Sequence, residues 1–116
     1  MSHDITAVAF VPCISEQFPS LTIEVLDSAE NLCDAIWLIP ENPQGVLDAL
    51  ILQVEHIRSG YKVSLVEAEG HDSVGGWAAH FWSHDGTAAF EPDVVAAVRL
   101  WLRRRLRRLA FDGCAG

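Results

Sequence analysis

Apolar positions change period several times along the chain, and each change marks an expected element. Ile5 to Val11 (ITAVAFV) is apolar on both faces and ends at Pro12, the pattern of a buried strand. Leu21 to Leu26 alternates, with Leu21, Ile23 and Val25 on one side and Thr22 and Glu24 on the other, as in a strand covered on one face. Asp27 and Ser28 are helix-start residues, and Ala29 to Ile39 then places Leu32, Ile36 and Ile39 on one side until Pro40 stops it. Trp37 and Leu38 widen that face, so a strand over Ala35 to Ile39 is the alternative. Asn42-Pro43 combines N-cap and first-position chemistry. Val46, Leu47, Leu50, Ile51, Val54 and Ile57 follow on one helical arc, with Asp48 and Glu55 opposite and Gly60 as the stop.

Alternation returns at Tyr61 to Glu67, with Tyr61, Val63 and Leu65 on one face, and again at Trp77 to Trp82 beyond the turn-forming run Glu69 to Gly76. The second strand sets Trp77, Ala79 and Phe81 against Ala78, His80 and Trp82. Ser83-His84-Asp85-Gly86 has type I turn chemistry, and Thr87 to Phe90 is short enough to pair back as a strand. Pro92 opens a last helix to Leu109, with Val95, Val98, Leu102, Leu106 and Leu109 as its buried stripe. Trp77 and Trp101 are expected between sheet and helix, and Arg105, beside Trp101 at the stripe edge, must snorkel or find a partner. The order β-β-α-α-β-β-(β)-α predicts an α+β domain spanning residues 1–116. Its antiparallel sheet has four to five strands with about three helices packed on it, and helices on both faces would suit the doubly apolar first strand.

Charge adds a second pattern. The first 57 residues hold nine carboxylates and no Lys or Arg, whereas six of the eight basic residues fall between Arg99 and Arg108. With a net charge of −8 the protein as a whole repels nucleic acid and favours basic protein surfaces, so direct nucleic-acid binding is disfavoured. Glu16, Glu24, Asp27, Glu30, Asp34 and Glu41 form the expected acidic partner surface, with Trp37 or Trp82 as an aromatic anchor. Arg103, Arg104, Arg107 and Arg108 form a basic patch. It can pair with the acidic half of its own chain or of a second copy, meet an acidic protein, or bind phosphates. Three cysteines without CxxC spacing, no basic leader and no apolar run of about 20 residues point to a cytoplasmic protein without a membrane span.

Catalytic chemistry finds little support. His71, His80 and His84, with Asp72 and Asp85, are the densest ligand-capable group. A straight strand would hold His80 and His84 roughly 13 Å apart at about 3.3 Å per residue. Turn and edge histidines, with no metal and no cofactor, are the simpler reading; a small metal-dependent hydrolase around them is the alternative. Cys13 lacks a basic neighbour in sequence and Cys33 reads as core, while GxSxG, Walker-type and HExxH patterns are absent.

The strand YKVSLVEAEG, the aromatic strand GWAAHFWSHDG, the short TAAF and the Pro-opened EPDVVAAVRLWL resemble small bacteriophage and prophage accessory proteins of the phage ABA sandwich group. Trp77, Phe81, Pro92 and Ala96-Ala97 stand at the matching places, over about residues 43–108. The first 40 residues and the Arg run lie outside the likeness. The resemblance implies phage origin and supplies no catalytic residues. It implies a class that includes inhibitors of bacterial defence such as anti-CRISPR proteins. The expected function is therefore a non-enzymatic protein that binds and inhibits a host protein complex. A homo-oligomeric, immunity-type protein joined through the Arg-rich helix is the other binding alternative.

Overall fold

The computed structural model describes residues 5–25, 34–68 and 76–114; the side chains of Asp34 and of residues 111–114 lie outside the description. A 3₁₀ turn (Ala7–Phe10) leads into helix α1 (Val11–Gln17). Strands β1 (Thr22–Val25), β2 (Asp34–Ile39), β3 (Leu50–Ile57), β4 (Gly60–Glu67) and β5 (Ala78–Ser83) follow, then helix α2 (Thr87–Cys114). The five strands pair in sequence order, every pair antiparallel, so the sheet is a meander. The α+β class and the five-stranded antiparallel sheet match expectation, with two α-helices among the described residues where about three were expected.

One face of the sheet carries the core. Ile36, Leu38, Leu50, Leu52, Val54, Val63 and Leu65 pack there against Phe10, Ile14 and Phe18 of the N-terminal segment and against Phe90, Val94, Val98 and Trp101 of α2. The N-terminal segment and α2 share this one core, so the described helices cover one face of the sheet, not both. The other face is open and mixed. Its cross-strand rows run Glu24, Trp37, Ile51, Val66, Ala78; then Ala35, Gln53, Ser64, His80; then Glu55, Lys62, Trp82.

Several expected elements change type, each for a local reason. Ile5 to Val11 is not a strand: Pro12 occupies the first turn of α1, where a missing N–H costs nothing, and Ala7 and Phe10 are buried by the helical turn. β2 takes the strand alternative over Asp34–Ile39; residues 26–33, with Asp27, Glu30 and Cys33, lie outside the described residues. The helix expected from Asn42 to Arg58 is absent. Asn42 has φ 55° and opens a loop, and Leu50, Leu52 and Val54 point into the core while Ile51 faces the open side. Pairing with β4 along Leu50–Ile57 on one edge, and with β2 along Leu50–Val54 on the other, takes up the backbone groups of this segment, and that decides between two periods which the same residues fit. Thr87–Phe90 is the first turn of α2 rather than a strand, because burial of Phe90 against Phe10 (centroids 6.4 Å apart, edge to face) extends the helix upstream of Pro92. The stripe shifts accordingly to Phe90, Val94, Ala97, Val98, Trp101 and Arg105, leaving Leu106 62% exposed.

Gly60 closes the β3–β4 hairpin at φ 139°, and a Cβ there would sit 2.5 Å from the Ser83 carbonyl oxygen. Gly60→Ala is therefore expected to lower stability by about 1–3 kcal/mol, read as a reduced urea midpoint with an unchanged slope.

Candidate functional site

The candidate site lies on the open face at the β1–β2 edge, and it is built by the loop between β2 and β3. Pro43, Gly45, Val46 and Leu47 of that loop, with Trp37 and Ile39 of β2 and Glu24 of β1, line a cleft of about 610 Å³. Val46 is 90% exposed and Leu47 about half exposed, so the wall is apolar and faces solvent. Beneath it Ala35, Ala49, Ile51 and Ala68 form a small second core against Trp37 and Ile39. The Nε1–H of Trp37 is buried and has no acceptor among the described residues. Glu24 is the carboxylate on the rim, directly opposite Trp37 in the register.

The loop holds its shape through a buried ion pair. Asp48 and Arg105, 57 residues apart, are each 6% exposed. Arg105 donates from Nε to both Asp48 carboxylate oxygens at 3.0 Å and from a terminal nitrogen to Oδ2 at 2.7 Å. The same nitrogen donates to the Asn42 carbonyl at 3.0 Å, and the Gln44 N–H completes the carboxylate at 2.7 Å. Burial by itself raises the Asp48 pKa. The Arg105 and Gln44 hydrogen bonds and the charges of Arg105 and Arg108 outweigh it, so the carboxyl titrates below its ordinary value. The partner that Arg105 requires in the sequence is thus Asp48, which reads there as an outward residue of a helix that does not form.

The other expected site residues scatter. Glu16 lies exposed on α1, on the helical side of the sheet, whereas Glu24 belongs to the open face and Glu41 to the loop after β2. Asp34 contributes backbone to β2. Trp82, 62% exposed on β5, has the Lys62 ammonium 5.8 Å from its ring centroid and the His80 ring 6.2 Å away. Lys62 also approaches Glu55 at 3.9 Å, so this end of the open face is an aromatic and charged strip distinct from the Trp37 cleft. His80 Nδ1 and the Ser64 Oγ are 2.8 Å apart, and His84 sits in the exposed turn where Ser83 Oγ accepts from the Asp85 N–H. His71 and Asp72 lie outside the described residues, among which no group of three metal-capable side chains occurs. Cys13 is half-buried at the start of α1. Its thiol pKa is pushed up by burial and by Glu91 and Glu16, the opposite of an activated nucleophile. Arg103, Arg104, Arg107 and Arg108 are all exposed on α2, and Arg108 also reaches Asp48 at 4.0 Å and Glu67 at 3.8 Å.

Sequence reasoning missed Pro43, Gly45, Val46, Leu47 and Asp48 as a unit. The signal was present in Asn-Pro followed by Gln-Gly, which suits a loop as well as a helix start.

Breaking the pair by Asp48→Ala or Arg105→Ala is expected to cost about 3–5 kcal/mol in urea denaturation, because each leaves a buried charge without its partner. Asp48 is depressed in the folded state, so its contribution is complete above the unfolded carboxyl value of about 3.9 and is lost as pH falls through the lower folded value. Asp48→Asn should accordingly flatten the acid limb of the stability profile below about pH 4. Protein-family models, curated proteins and solved structures contain no match to this chain.

Proposed function

We propose that this protein is a non-enzymatic binder that inhibits a host protein complex by seating an apolar side chain flanked by basic residues in the Trp37 cleft. The observation that supports the reading is the cleft itself, an exposed wall of Val46, Leu47 and Pro43 beside the half-buried Ile39, with a carboxylate, Glu24, on its rim. A molecule of net charge −8 draws basic surfaces toward it, and the apolar wall then supplies short-range affinity. The indole N–H of Trp37, which has no acceptor among the described residues, adds support. An orphaned buried donor costs about 1–3 kcal/mol, so Phe would serve packing better at this position. The acidic region contributes through Glu24 rather than as one continuous face, since Glu16 stands on the other side of the sheet. A bacterial defence complex is the target class that the phage resemblance implies.

Peptide display against the immobilised protein tests the reading directly. The expected outcome is enrichment of sequences that pair a Leu, Ile, Met or aromatic residue with adjacent Lys or Arg. Trp37→Ala or Val46→Asp should weaken the selected peptides by at least about thirtyfold, the scale of a hot-spot residue. Glu24→Lys should weaken them less, with the difference shrinking at high salt. Trp37→Phe should leave thermal stability unchanged or slightly raised while still weakening binding. Peptides whose affinity ignores all four changes would reject the cleft as the docking site.

A further inference from the structure

A second cleft lies on the opposite side of the sheet, where α2 passes the end of β4. Arg104, Arg105, Arg107 and Arg108 surround it, with Trp101 and Glu67, and enclose about 260 Å³. These four guanidiniums are not equivalent. Arg105 is immobilised by Asp48 and the Asn42 carbonyl and forms a fixed wall. Arg108 lies 4.0 Å from Asp48 and 3.8 Å from Glu67, longer than the roughly 2.7–2.9 Å of a charge-assisted hydrogen bond. Arg108 therefore lines the cleft without a short hydrogen bond to either carboxylate. Arg104 and Arg107 are exposed and have no carboxylate partner among the described residues. Trp101, 2% exposed, is the apolar side chain of the lining, and a low-dielectric wall strengthens any charge placed against it.

Counting the groups at the cleft, four guanidiniums face the carboxylates of Asp48 and Glu67, an excess of two positive charges inside a chain of net charge −8. We propose that this cleft binds a phosphate-sized dianion, either inorganic phosphate or the terminal phosphoryl group of a small metabolite. Arg104, Arg107 and Arg108 are its ligands. Planar guanidiniums match phosphoryl oxygens in pairs, and helical spacing puts Arg104 one turn from both Arg107 and Arg108. Glu67 is the opposing group. It stands 3.8 Å from Arg108, and its carboxylate limits affinity for any anion. A long polyanion is a poorer fit, because the rest of the acidic surface repels it while one small dianion cancels the local excess.

The test is an NMR titration of the full chain with inorganic phosphate and with a phosphorylated nucleoside, at constant ionic strength and with chloride as the control. Saturable shifts are expected at the Trp101 indole and at the Nε–H of Arg104, Arg107 and Arg108, but not with chloride. Arg104→Gln/Arg107→Gln, two exposed positions outside the Asp48 pair, should lose at least about tenfold in affinity with the fold intact. Glu67→Gln should bind at least about threefold tighter, an effect that a general loss of structure would not produce. Saturation by the nucleoside phosphate alone places the site on a metabolite; saturation by both places it on the phosphoryl group itself. Shifts that rise linearly, that chloride reproduces, or that persist in the double variant overturn the proposal. Tighter binding of a single-stranded oligonucleotide at the same residues, or a phosphate-free dimer that phosphate dissociates, would overturn it as well.

Discussion

The contact between Asp48 and Arg105 constrains more of this molecule than any other. It joins the loop after β2 to the middle of α2, and it does so with both groups nearly removed from water. A buried ion pair of this kind need not add net stability, since desolvating two charges offsets much of their attraction. Its effect is on specificity. A carboxylate with an acceptor site for the Gln44 N–H and two for a guanidinium admits one loop conformation, and a guanidinium that also bonds the Asn42 carbonyl admits one helix rotation. The positive φ values of Asn42 and Gly45 belong to the same loop, which is held by side-chain chemistry rather than by strand pairing.

Both clefts inherit their geometry from this pair. The Pro43–Leu47 wall of the Trp37 cleft is the outer surface of the loop that Asp48 anchors. The arginine cleft is the surface of α2 around the residue that Asp48 holds. Beside the pair, the Arg105 bond to the Asn42 carbonyl and the 4.0 Å approach of Arg108 to Asp48 join the same loop to the same helix, beyond the point where packing of α2 on the sheet stops short of Leu106. The charge division of the sequence is thus spent in part inside the molecule. One carboxylate of the acidic half neutralises one arginine of the basic run; of the exposed remainder, Glu24 lies with the open sheet face, while Glu16 shares the helical side with Arg103, Arg104 and Arg107.

What the sequence revealed depends on whether one period fitted the residues. Tyr61–Glu67 and Trp77–Trp82 alternate without ambiguity, and the structure places Val63, Leu65, Ala79 and Phe81 on the core side as that alternation requires. The need of Arg105 for a partner was also legible, since an arginine beside a buried Trp101 has few options. Leu50–Ile57 misled because Leu50, Ile51, Val54 and Ile57 satisfy a helical arc while Leu50, Leu52 and Val54 satisfy a strand. The deciding quantity was the availability of β4 and β2 as neighbours, which is a property of the whole chain. Proline misled twice in the same way. Pro12 and Pro92 were read as boundaries, yet one lies in the first turn of α1 and the other inside α2, because burial of Phe10 and Phe90 governs where those helices run.

The candidate cleft was hidden for a related reason. Trp37 stood out by type and Glu24 by charge, but nothing local shows that Val46 and Leu47 face solvent. Apolar residues in a run that scans as an amphipathic helix are assigned to the core by default. Asp48, two positions from Val46, is turned inward against α2, and on this stretch of the loop Val46 and Leu47 take the outer side; burial of apolar residues resumes at Ala49 and Leu50, where β3 begins. An exposed apolar wall beside a buried salt bridge is therefore one arrangement rather than two, the outer and inner sides of the same stretch of loop.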